Sequence, residues 1–408
     1  MPLSTSDVLD AYRADLSNAG KSQFSDRDAI WLAFGTLLQR AVSLSSDDRA
    51  AYLQSASAAV VDLSVPGQTA AALAELARDG SSSGALCTVV TALATEAEDA
   101  GAFALATAML DFARILVGLS EFRLQGRLLA LQARILRKIG ETELAQELYE
   151  QVQEIGATHG DSELIARAHL GKAVLARIRG NYPEARQEFM AVLDVSGSSD
   201  AIQELRVHGH HGLLLVSAIA GDFDSALKHG AAAVAGAPTE QQRTEILQNL
   251  ACVCYDVGQF RSALHGQLQA LAAARADRVR LAAFGGAAVA AARLGDARMV
   301  DELVEAATPL LALRGPEFEL ADMAREFAEA YAYLGNVERW RRYRDEALGR
   351  AERGKFFEIV HRLESARAPK RAPERPAVAL TGDALAVAAR LASGDSRELL
   401  AAAVSSGH

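Results

Sequence analysis

Glu204, His208 and His211 stand at i, i+4 and i+7, which would set a carboxylate and two imidazoles on one face of a helix. Those are donor types that zinc, iron or manganese accepts, so this is the cluster with enzymatic flavour, and a metal-dependent enzyme centred on it is one alternative reading. No fourth ligand stands close in sequence, and His210 projects elsewhere. Histidine is also common as an ordinary polar residue, so the expectation is no bound metal, no cofactor and no catalysis. Cys252 and Cys254 are two residues apart, roughly 200° around a helix, and cannot share a ligand. No glycine-rich phosphate loop follows a strand, and no Gly-x-Ser-x-Gly elbow or paired-cysteine motif occurs.

Charge offers a second chemistry. Residues 339–375 hold twelve Lys/Arg against six acids, a surplus that could touch nucleic acid or an anionic surface. A regulator that binds nucleic acid through this basic C-terminal helix is the other alternative, but a charge-rich end helix is more often a solvated cap. The whole chain carries a net charge of −10 with a pI near 5.5, the wrong balance for a general nucleic-acid binder.

The elements that would carry these residues announce themselves by period. A glycine turn, usually followed by an aromatic and then an alanine, recurs at Gly101, Gly140, Gly180, Gly221, Gly258, Gly295 and Gly335, spaced 37 to 41 residues apart. Seven residues before each glycine lie Ala94, Ala133, Ala173, Leu214, Ala251, Ala288 and Ala328; twelve after lie Ala113, Val152, Val192, Ala233, Ala270, Ala307 and Ala347. Small residues at fixed places on two successive helices let those helices approach closely, with the glycine supplying the turn between them. Repetition of this length predicts stacked helical hairpins, which grow along one axis without a single closed core.

These columns resemble the tetratricopeptide repeat, whose second helix opens with Gly-Asp-Tyr-x-x-Ala and whose first helix carries a small residue seven positions earlier. The likeness covers roughly residues 86–350 and is best at 180–192 and at Arg325-Glu-Phe-Ala-Glu-Ala-Tyr331. The chain departs from the family in its longer period, in keeping the closing proline only as Pro238, and in replacing most first-helix aromatics. Long, degenerate repeats of this kind look like those of bacterial regulatory and sensor proteins. The resemblance implies an all-α, right-handed α-solenoid of about seven hairpins. Residues 1–62 would be a helical cap, 63–355 the solenoid, 356–378 a basic helix end and Pro-rich linker, and 379–408 two short amphipathic helices needing a partner surface. A possible earlier unit centres on Gly67.

In that family the first helices line a concave groove at positions 13, 10, 6, 3 and 2 before the turn glycine. Carried over, these positions give Arg127, Arg134, Arg137 and Lys138 in one unit, Arg167 and Arg177 in the next, then His208 and His211. The resemblance implies a protein-interaction or peptide-sensing module that takes an acidic segment here, since arginine pairs carboxylates through a planar fork. The blander reading is a solvated face balanced by Glu141, Glu143 and Glu147. Ala130 and Arg134 stand where the family's carboxylate clamp expects a lysine and an asparagine, so that clamp is not implied. The N-terminus has no basic and apolar leader, no run is long enough to span a bilayer, and three cysteines make no disulfide framework. A cytoplasmic protein is expected.

Overall fold

A computed structural model describes residues 26–60, 67–118, 120–312, 317–365 and 378–405. The proline-rich segment 366–376 and the beginning of the expected N-terminal cap lie outside the described residues. Among those residues every regular element is a helix, and none is long and apolar enough to cross a membrane. The chain divides into two compact units, residues 1–197 and 198–408.

In the first unit, α1 (Asp26–Val42), α2 (Ser46–Val60) and α3 (Gly67–Arg78) precede three hairpins. These are α4 (Ser83–Asp99) with α5 (Phe103–Val117), α6 (Phe122–Lys138) with α7 (Thr142–His159), and α8 (Ser162–Ile178) with α9 (Tyr182–Asp194). The second unit holds four: α10 (Asp200–Ile219) with α11 (Phe223–Gly236), α12 (Glu240–Asp256) with α13 (Phe260–Ala273), α14 (Asp277–Arg293) with α15 (Ala297–Ala307), and α16 (Glu317–Tyr333) with α17 (Val337–Gly354). Three short helices follow: α18 (Phe357–Ser365), α19 (Gly382–Leu391) and α20 (Ser396–Ser405). Within each unit the first helix of a hairpin packs on the first helix of the next, and the second helix packs against that same neighbour in every hairpin but the one that ends in α15. This is the tetratricopeptide-like helical repeat that the period predicts.

The seven turn glycines do what the repeat requires. Each has a positive φ, between 72° and 89°, a left-handed conformation that a Cβ would strain. The next residue's amide then reaches back over the helix end, as in Glu141 N–H to Leu136 O at 3.0 Å and Asn336 N–H to Tyr331 O at 2.9 Å. Where that residue is Asn or Asp its side chain also starts the following helix: Asn181, Asp222, Asp296 and Asn336 accept from the amide three residues on. One Gly-Asn or Gly-Asp pair therefore ends one helix and begins the next.

The two small-residue columns are the hairpin interiors. All fourteen side chains are buried, none exposing more than 2% of its surface. Glycines deepen the contact at selected places; a Cβ on Gly171 of α8 would sit 2.1 Å from the Tyr149 ring of α7. The two C-terminal helices find their partner surface on their own unit. α19 packs on α11 and α13, and α20 on α13, burying Ala384, Ala388, Leu400 and Ala403. Asp224 accepts from the Thr381 amide at 3.0 Å, and Ser396 Oγ lies 2.6 Å from Nε2 of the fully buried His265.

Candidate binding face

In the first unit the arginine columns run along α6 and α8, on the side left uncovered when α5, α7 and α9 take the apolar columns. Four of the six cations there are already engaged. Glu163 lies between two arginines in equivalent register on adjacent first helices: Arg127 reaches it through Nη2 at 2.7 Å and Nε at 3.1 Å, Arg167 through Nε at 2.9 Å. Burial alone would push the Glu163 carboxyl up, yet those hydrogen bonds and charges together hold it below the usual range. The hydrogen bond from Arg127 to Glu163 likewise raises the Arg127 guanidinium. Arg134 and Lys138 share Glu98, whose side chain is fully buried; the Lys138 ammonium is 2.7 Å from it. The balancing acids are thus Glu98 and Glu163, rather than the Glu141, Glu143 and Glu147 expected from local sequence.

Arg137 and Arg177 differ. They occupy equivalent places on α6 and α8, three residues before Gly140 and Gly180, and both are half-buried. No carboxylate pairs with either among the described residues. Arg137 lies close enough for its charge to act on the Tyr149 phenol, while its Nε is buried with no hydrogen-bond partner. Burial and then the Arg137 charge lower Arg177, with the Tyr182 ring of α9 close enough to oppose the shift. Burial pushes the Tyr149 phenol up, so it stays a neutral donor and acceptor. Tyr149 was missed in the sequence because it lies in the second helix; only its contact with Gly171 brings it under the face.

The histidines of the second unit turn to amides. His208 Nε2 lies 2.9 Å from Gln242 Nε2, and His211 Nε2 lies 2.9 Å from Asn249 Nδ2, both on α12. His210 instead meets His229 of α11, Nδ1 to Nδ1 at 2.9 Å. Glu204 is exposed, and among the described residues no three His, Cys, Asp or Glu side chains converge as a metal ion would need. In the basic C-terminal segment several arginines pair within the chain: Arg339 meets Asp301 and Tyr331, Arg350 meets Glu346, Glu317 and the Leu311 carbonyl, and Arg362 meets Glu358.

A polar cluster that sequence reading overlooked lies on α12, α13 and α16. Arg325 sits among Asp322, Glu326 and Glu329 at 2.6, 3.2 and 3.0 Å. Gly285 of α14 admits it, since a Cβ there would meet Glu326 Oε2. Burial, with the neighbouring Asp322 and Glu329 charges, pushes the Glu326 carboxyl up to about 8 against the pull of Arg325. Cys252 reaches solvent along one edge but is otherwise crowded, its Sγ accepting from Gln248 and Gln267 at 3.4 Å each; burial and Glu326 push its thiol up to about 12. That thiol is therefore un-ionised near neutrality.

No family model and no curated protein matches the chain. Among solved structures it resembles the apo form of the quorum sensor NprR from B. thuringiensis, with a TM-score of 0.53 and 14% identity over 85% of this chain and 97% of that one. At that identity the likeness is one of fold: a tetratricopeptide-like array of helical hairpins.

Proposed function

We propose that this chain is a protein-interaction or peptide-sensing scaffold that captures an acidic partner segment on its first-helix face. The observation that carries the reading is the charge balance at the groove positions of α6 and α8: six cations (Arg127, Arg134, Arg137, Lys138, Arg167 and Arg177) meet two carboxylates, Glu163 of α8 and Glu98 of α4, while Arg123 and Lys172 of the same helices pair with Asp161 and Glu188. A face that merely stayed hydrated would balance itself, whereas a surplus held on rigid helices is complementary to an anionic segment. Affinity would come from apolar burial between the columns, at Ala130, Leu170 and Val174, with the cations setting orientation. The likeness to a protein named as a quorum sensor supports a sensing role for such a fold.

Panning a random peptide display library on the full-length protein tests this. Enrichment of Asp- or Glu-containing peptides that compete with one another, and whose binding weakens as salt rises, is the expected result. Enrichment of basic peptides, or none above background, would contradict it.

A further inference from the structure

Arg127 and Arg167 show how this face holds a carboxylate: two arginines, in register on adjacent first helices, close on Glu163 from both sides. Arg137 and Arg177 repeat the arrangement ten residues farther along the same two helices, with no carboxylate paired to either among the described residues. We infer that Arg137 and Arg177, with Tyr149 beside Arg137, form a subsite for a single carboxylate brought by the ligand. The inference rests on the scaffold reading for the ligand's being a peptide, but the subsite itself stands on side-chain geometry.

Three features argue that the pair is built for an anion rather than left over. The first is its cost: two half-buried like charges repel, and an unpartnered buried guanidinium N–H loses its water without a replacement. Either arginine replaced by glutamine would relieve that cost, so the pair weakens the free protein. The second is fixation of the donors. Tyr149 is 3% exposed and packed among Ala133, Ala145 and Leu175, so it gives Arg137 a neighbour that cannot move. The third is that the neighbouring cations cannot supply the same service, because Arg134 and Lys138 are committed to buried Glu98. A planar oxyanion fits the guanidinium fork best, and the internal Glu163 example shows that two such forks accept one carboxylate.

The subsite is tested on the full-length protein with 15N-labelled arginine, following side-chain Nε–Hε resonances assigned through Arg137→Lys and Arg177→Lys. Sodium acetate is titrated against sodium chloride at constant ionic strength, with inorganic phosphate in a parallel series. The expected result is a saturable, acetate-specific shift of the Arg137 and Arg177 resonances while those of Arg127 and Arg134 stay still. Arg177→Gln should weaken the acetate response of Arg137 by about tenfold, through loss of one charged hydrogen-bonding partner. Equal response to chloride and acetate, a response to phosphate alone, or shifts spread over all arginines would overturn the assignment. The scaffold reading fails separately: a panned peptide that binds without moving the Arg137 and Arg177 signals removes the subsite and leaves the scaffold. Acetate binding at the pair with no peptide enriched does the reverse.

Discussion

Replacing Gly171 with alanine tests the repeat packing and the support of the binding face together. The new methyl would stand 2.1, 2.3 and 2.4 Å from three atoms of the Tyr149 ring. A flexible side chain could step aside, but this ring is buried against Ala133, Ala145 and Leu175 and has nowhere to go without moving α7 from α8. Overpacking of this kind costs about 1–3 kcal/mol, and contacts this short belong at the upper end. Alanine's better helix propensity returns about 1 kcal/mol in a helix interior, leaving a net loss of about 2 kcal/mol. Two other glycines calibrate the argument. Gly84, in the first turn of α4, has open space around its missing Cβ, so Gly84→Ala should be neutral or stabilise by up to ~1 kcal/mol. Gly140 also has open space, but its φ is 89°, so Gly140→Ala should cost about 1–2 kcal/mol through backbone strain alone. Urea unfolding followed by far-UV circular dichroism gives the order Gly84→Ala, wild type, Gly140→Ala, Gly171→Ala from most to least stable. Gly171→Ala at or above wild-type stability would mean that Tyr149 does not sit under α8, and its place beside Arg137 would fall with it.

Three other outcomes follow from side-chain environments. Arg134→Glu sets a second acid against buried Glu98 and leaves Lys138 alone to neutralise it, so it should destabilise by about 3 kcal/mol; Arg137→Glu, which ends the repulsion with Arg177, should change stability by less than ~1 kcal/mol in the same denaturation assay. Because the folded-state pKa of Glu326 is raised from 4.5 to about 8, its contribution to stability is present in full below pH 4.5 and is lost as pH rises through 8. Wild type should therefore lose about 2 kcal/mol relative to Glu326→Gln between those limits, a figure kept well below the full shift because Arg325 shares the site and some of the side chain still reaches water; a pH-independent difference would count against the burial described for Glu326. Truncation after Ser365 should lower the stability of the second unit by on the order of 2–4 kcal/mol, since it uncovers α13 and removes buried Leu400, Ala384, Ala388 and Ala403; an unchanged thermal melt would contradict the docking of α19 and α20.

The hairpins were legible because their determinants are local and recur. Gly140 and Gly180 take positive φ for the same reason in each repeat, and Ala133 and Val152 are buried because the columns they belong to must be. The counter-ions were not, because they lie 36 residues away rather than next in sequence: Arg127 finds Glu163 and Arg134 finds Glu98 across adjacent repeats. The column three residues before the turn glycine reads Glu98, Arg137, Arg177 in successive units, which sets an acid one period from a run of cations but does not say that Arg134 and Lys138, rather than Arg137, take it. The docking of α19 and α20 carried no such signal, since an amphipathic helix states that it needs a partner without saying which. Glu326 was hidden for another reason: its burial depends on Gly285 of a neighbouring helix, and a helical glycine in an alanine-rich run draws no notice.

The claim that partners bind on the first-helix face is tested most directly by photo-crosslinking. A panned acidic peptide carrying a diazirine would be bound to the full-length protein, irradiated, and its attachment points read by mass spectrometry. Crosslinks are expected on α6 and α8, around Ala130, Leu170 and Val174, and lost when Arg137 and Arg177 are both changed to glutamine. Crosslinks confined to the exposed surfaces of α7 and α9, such as Leu144, Glu147 and Met190, and unaffected by that double change, would contradict it.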